Sequence, residues 1–172
     1  VAQDFIYEKR DTREATRQAS LDAIHKSFNV PKVIHGPWKF IGPFDNTDGR
    51  GHSAVYPPEM KVDFAAEYDG AGGRKIRWQD GSRFKDAVYN NLKFFQPSDF
   101  VVCYLYRTIE SDADTKAHLY LGSDDTLVAW VNGQKVHEYD GIRGLEIDSD
   151  AVVVQLRRGT NRVLLKVGQI QG

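Results

Sequence analysis

The spacing of apolar positions changes character near residue 31. Before it, "DTREATRQASLDAIHKS" (residues 11–27) brings Ala15, Ala19, Leu21 and Ile24 close to one face and fills the rest with charged and polar groups. That is the period of a helix with one apolar stripe. Asp11 or Thr12 can cap its start, Glu14 suits its first turn, and Asn29 and Pro31 end it. The pattern predicts a helical lead-in or linker over residues 1–31. Beyond it, glycine, proline, aromatics and short apolar runs take over, the texture of β-structure.

"KVIHGPWKFIGPF" predicts a first strand around Trp38 to Ile41, and "DNTDGRGHSAVYPPE" a long polar loop. "RKIRWQD" predicts a short strand with Ile76 and Trp78 on one face, and "DAVYNNLKFF" carries a weaker strand signal. "FVVCYLYRTIE" is a continuous β-branched and aromatic run, as expected of a central strand. It puts Val101, Cys103, Leu105 and Ile109 on one face and Val102, Tyr104 and Tyr106 on the other. "KAHLYLG" alternates, with Ala117, Leu119 and Leu121 together. "TLVAWVNGQKVHEY" reads as two strands around Asn132-Gly133, the pair that best tolerates the positive φ of a type I′ turn. Trp130 is out of phase with Leu127, Ala129 and Val131, so it faces the other side of that sheet. "AVVVQLRRGTNRVLLKV" reads as a second hairpin, with Val152, Val154 and Leu156 facing Val163, Leu165 and Val167. Strands recurring roughly every 8 to 12 residues predict an all-β protein over residues 32–172, an antiparallel β-sandwich or jelly roll.

A chain of 172 residues can bury one substantial core. With 27% charged residues and a net charge of −1, no strongly basic surface is available for nucleic acid. No apolar run reaches the length of a membrane span, so insertion is not expected. The first twenty residues hold no apolar signal core. The single cysteine, Cys103, excludes an intrachain disulfide and alternates with buried positions, which predicts an inert thiol. The five histidines, His25, His35, His52, His118 and His137, show no zincin spacing, and His118 and His137 are expected on solvent faces. There is no nucleophile elbow, and "GAGGRKIR" from Gly70 precedes no helix, so it reads as a loop. No enzyme motif survives, and the expected protein is not an enzyme.

Two acidic stretches carry candidate chemistry. "FDNTDGRG" begins like a calcium loop, but its third, fifth and sixth positions are Thr47, Gly49 and Arg50, so it is not an EF-hand. Asp45 and Asp48 can still offer oxygens to calcium, or simply build an Asx-turn. Asp124 and Asp125 repel each other unless something compensates: calcium, Arg107, Arg143, or water around an exposed turn. Both outcomes, a solvated turn and a metal or ligand site, stay open at this point. Sugar-binding faces pack a pyranose on an aromatic ring and catch hydroxyls with nearby polar groups. Trp78, Tyr89, Tyr56 and Tyr139 lie near loops and are candidates, with Arg107 as a polar partner. Trp130, in mid-strand, suits a sandwich core.

"AHLYLGSDDTLVAWVNGQKVHEYDG" followed by "VQLRRGTNRVLLKVGQ" resembles the galactose-binding-domain-like jelly roll, as found in sugar-binding domains appended to large β-galactosidase-type enzymes. "GPWKFIGPF" and "VYPPE" resemble the opening of such modules in large exported bacterial proteins that carry haem-binding or carbohydrate-degrading domains. The resemblance covers about residues 34–170. It implies a non-catalytic accessory module that is secreted or periplasmic, binds a polysaccharide or other glycan, sits beside neighbouring domains of a parent protein, and holds a structural calcium in many members. It also admits a spacer of the same fold with no ligand. The Asp124-Asp125 pair is similar to the paired aspartates of protective-antigen-type adhesin domains, where the pair holds calcium and, through it, a sugar. The chain departs from both patterns in its leading helix and in stopping at Gly172, where a further strand usually follows, as expected of a fragment of a longer protein.

Overall fold

The computed structural model describes residues 15–24, 26–28 and 30–170. Residues 15–24 and 26–28 are helical, and all of them are exposed, Leu21, Ile24 and Phe28 included. The expected stripe therefore exists but is not buried. The expected caps Asp11, Thr12 and Glu14, and the terminator Asn29, lie outside the described residues.

Among the described residues eleven strands follow: β1 (Val33–His35), β2 (Lys39–Asp45), β3 (Glu67–Asp69), β4 (Lys75–Arg77), β5 (Gln79–Asp80), β6 (Val101–Ser111), β7 (Thr115–Leu121), β8 (Thr126–Val131), β9 (Gln134–Tyr139), β10 (Asp150–Leu156) and β11 (Gly159–Gln169). A seven-stranded antiparallel sheet runs β5-β2-β6-β11-β8-β9, with β1 pairing on β6 beyond the end of β2. Two two-stranded sheets, β10-β7 and β3-β4, complete the fold, an all-β sandwich compatible with a jelly roll.

The large sheet is buried on both faces. On the first face Leu127, Ala129, Val131, Val163, Leu165 and Ile109 pack against Leu121, Val154 and Leu156 of β7 and β10. The same face continues to Phe40 and Cys103, which are covered by Phe84, Phe94 and Phe95. On the second face Ile41, Phe44, Val102, Tyr104, Tyr106 and Leu164 pack against Ile76, with Tyr56, Val62, Tyr68 and Trp78 around them. Trp130 joins this second face, as its phase predicts. The expected faces of β6 are correct in full, and Cys103 has no exposed surface. The β8–β9 turn has Asn132 at φ 53° and Gly133 at φ 80°, both in the left-handed region that type I′ requires.

Three expectations need correction. Residues 150–167 are not a hairpin: β10 pairs with β7, whereas β11 pairs with β6 and β8. The named valines and leucines do face one another, but across the core between sheets. The chain crosses between Leu156 and Gly159, and the Asn161 side chain fixes the corner. Its Oδ1 accepts the Arg157 N–H at 2.9 Å and its Nδ2 donates to Arg157 O at 2.8 Å. "DAVYNNLKFF" forms no strand. Asn90 closes it locally, with Oδ1 on the Lys85 N–H at 2.9 Å and Nδ2 on Lys85 O at 2.8 Å. Trp78 falls between β4 and β5 rather than inside a strand, although it still packs with Ile76.

One charge lies in the middle of this apolar assembly. Lys166 points to the second face from β11 with its side chain 3% exposed. Its ammonium donates to His52 O at 2.8 Å, Ala54 O at 2.6 Å and Glu59 Oε1 at 2.8 Å. Three donors meet three acceptors, which is what makes the burial tolerable. Glu59 sits in a four-residue helix, Pro57–Met60, and also accepts from the Tyr104 hydroxyl and the Tyr56 N–H. Burial raises the Tyr104 pKa, and the bond to Glu59 raises it further, so the phenol stays a donor. Replacing Lys166→Met should destabilise the protein by about 3 kcal/mol in urea unfolding, because the Glu59 carboxylate loses its counter-charge. The double variant Lys166→Met/Glu59→Gln should lose less than the sum of the two single changes.

Candidate functional site

The cover of the first face is narrower than the sheet. The β7-β10 ribbon is two strands wide and shields β8, β11 and one end of β6. The aromatic pad of Phe84, Phe94 and Phe95 shields Phe40 and Cys103. Trp38 and Leu105 touch both covers. Between the two covers lies a cavity of about 350 Å³. Its floor is Leu105, Leu127, Leu165 and Val167 from the sheet. One wall is the 85–93 segment, with Asp86, Val88, Asn90, Asn91 and Lys93. The opposite wall joins Tyr120, Gly122 and Asp124 at the end of β7 to Leu145, Ile147 and Asp148.

Each wall is pinned by an arginine. Arg107 donates from Nη1 to both Asp86 oxygens at 2.8 Å and from Nη2 to Gly36 O at 2.7 Å, with its guanidinium 4.5 Å from the Trp38 ring. Trp38 Nε1 donates to the same Asp86 carboxylate at 3.0 Å. Arg143 holds the other wall. It donates from Nη1 to Asp150 Oδ1 at 3.0 Å and from Nε to Ser123 O at 3.1 Å, and it lies 3.8 Å from the Tyr139 ring. His137 Nε2 lies 3.3 Å from Asp150 Oδ2 without hydrogen-bond alignment. Gly122 lets this wall close: a Cβ there would stand 2.2 Å from Glu146 O.

The aspartate pair divides. Asp125 is buried, and its two oxygens accept main-chain N–H groups, Ile170 at 2.7 Å and Arg143 at 3.4 Å. It ties the end of β11 to the 140s segment. Asp124 lines the cavity, and among the described residues its carboxylate has no hydrogen-bond or ion-pair partner. Burial pushes its pKa up, and the Asp125 charge adds to the rise. The arginines expected as compensators are committed elsewhere, Arg107 to Asp86 and Arg143 to Asp150.

The other sequence candidates scatter. Trp78 and Tyr56 pack on the second face, behind the sheet from the cavity. Tyr56 donates to Asp45 O. Tyr139 lies beneath Arg143, and Tyr89 is exposed on the 85–93 wall. Arg107 braces that wall. His118 is exposed as expected, whereas the His137 side chain is 21% exposed. The residues sequence reasoning passed over are Trp38, Tyr120, Asn90 and Asn91. Alternation with the inward Leu119 and Leu121 turns Tyr120 outward, where its exposed ring stacks on His118; Asn90 and Asn91 depend on a loop that no periodicity describes.

Three of the four carboxylates expected to offer oxygens to calcium have partners within the protein. Asp45 Oδ1 accepts from the Thr47 hydroxyl at 2.7 Å, Asp48 pairs with Arg50, and both Asp125 oxygens are taken. Among the described residues no three His, Cys, Asp or Glu side chains gather as a metal would need.

The acids around the cavity respond to pH with opposite signs. Burial works to raise the Asp86 pKa, but the hydrogen bonds from Arg107 and Trp38 outweigh it and hold it low. The Arg143 hydrogen bond holds Asp150 low. Their stabilisation is present above the unfolded value of about 3.9 and is lost as pH falls through the folded values. Asp124 has a raised pKa, so its ionisation opposes folding, and that cost appears as pH rises through the folded value. Asp124→Asn should therefore match the parent's melting temperature near about pH 3 and exceed it by about 1 °C at neutral pH, a small gain because much of the group is solvated. Melting curves across that range check it.

Compared with known proteins, the chain matches no family model, no curated protein and no solved structure at a significant level.

Proposed function

We propose that this protein is a non-catalytic carbohydrate-binding module of the galactose-binding-domain-like kind, working as an accessory to neighbouring domains of an exported parent protein. The observation that carries this reading is the cavity at the seam of the two covers. It combines an aliphatic floor, the Trp38 side chain, and a rim of amides and carboxylates. Apolar area for a sugar's C–H face beside a few placed polar groups for its hydroxyls is the composition such a ligand needs. A volume of about 350 Å³ is at the small end of ligand sites and suits one or two sugar units. The walls are braced before any ligand arrives, which spares the ordering cost of binding.

Catalysis has no support from the thiol. Cys103 is fully buried, and burial raises its pKa, so no thiolate is on offer.

Isothermal titration against a panel of plant, algal and bacterial oligosaccharides tests the reading. Binding should be found, and Asn91→Ala should weaken it about tenfold, the scale of one lost contact. Met60→Ala, at an exposed position in the cover of the second face, should leave it unchanged. Silence across the whole panel would leave the spacer reading in its place.

A further inference from the structure

We infer that the cavity selects a sugar carrying a free amino group, an unacetylated amino sugar, and that Asp124 recognises its ammonium; this rests on the carbohydrate reading above. The argument starts from charge. Six ionic side chains line the cavity: Lys85, Lys93, Asp86, Asp99, Asp124 and Asp148. Asp86 is neutralised by Arg107. Lys85, Lys93, Asp99 and Asp148 are exposed, so water solvates them. Asp124 is the half-buried one, and it stands beside the buried Asp125.

Among the described residues no side chain hydrogen-bonds or ion-pairs with the Asp124 carboxylate. Leu127, Leu145 and Ile147 line the cavity with it. The neighbouring Ser123 hydroxyl donates to Asp125 O at 3.0 Å and accepts from Arg143 at 2.8 Å. The Arg143 fork is closed on Asp150. A carboxylate placed this way gains most from a ligand that brings a positive charge and N–H donors together.

The kind of cation follows from the same geometry. A divalent metal wants six to eight oxygens. Asp125 is spent on main-chain N–H groups, and among the described residues Asp124 gathers with no group of three His, Cys, Asp or Glu side chains such as a metal would need, which suits a single organic ammonium instead. The aliphatic floor beneath it then packs the ring that carries the amine. A neutral hexose would satisfy the floor and leave the charge unmatched, and a uronic acid would set like charges together.

Glucosamine tetramer, its N-acetylated counterpart and a neutral glucose tetramer, titrated into the full chain, discriminate the possibilities. Glucosamine tetramer should bind about tenfold tighter than either of the others, the scale of one charge-assisted hydrogen bond. Asp124→Asn should erase that preference, bringing the amino sugar to the affinity of its acetylated form. Melting curves confirm that this variant folds. Equal binding of the three ligands, or an amino-sugar preference that persists in Asp124→Asn, overturns the inference while leaving carbohydrate binding intact. Failure of all three, and of the wider panel, overturns both.

Discussion

A single ammonium group fixes what this fold can expose. β11 is a strand with neighbours on both edges and covers on both faces, and Lys166 lies within it. An unpaired charge there would be prohibitive. The solution draws two carbonyls and a carboxylate from residues 52–59 onto the sheet, together with the four-residue helix that carries Glu59. The second face is thereby closed. Tyr104 adds its hydroxyl to Glu59, and Phe44 and Tyr56 pack with its ring. Whatever the protein binds must meet the first face, an edge or a loop.

The first face has the opposite problem. A seven-stranded sheet is covered by a two-stranded ribbon and by an aromatic pad that has no strand of its own. Two covers of different origin leave a seam. Loops usually lose such openings to local collapse, but here each wall is tied back by an arginine fork to an aspartate, with an aromatic ring beneath the guanidinium. Those forks brace the two walls over the floor. They also commit Arg107 to Asp86 and Arg143 to Asp150, so neither guanidinium is paired with Asp124.

Much of the fold was legible because period two reports faces directly. The faces of β6, the inward stripe of β7, the Asn132-Gly133 turn, the buried Cys103 and the reversed Trp130 all follow from alternation. Alternation does not report partners. Val152, Val154 and Leu156 would point inward whether β10 paired with β11 or with β7, and the Asn161 corner that decides between them is made by a side chain on main-chain groups. The site was less legible for a related reason. Asp124 and Asp125 are adjacent and chemically identical. Their roles separate only through the N–H groups of Arg143 and Ile170, from segments far along the chain. The aromatic candidates near loops fell on both sides of the sheet, because nearness to a loop says nothing about the side it serves. Lys166 was the overlooked signal, a lysine at an inward position inside an apolar run.

The central claim is that the seam on the first face is where a ligand enters. Backbone amide shifts recorded while glucosamine tetramer is titrated into isotope-labelled protein test it most directly. The account predicts shifts confined to residues 85–93, 120–124 and 145–148 and to the floor positions beneath them, with residues 52–62 and 67–78 behind the sheet unmoved. Shifts centred on that second face, or on the helical residues before β1, would contradict it.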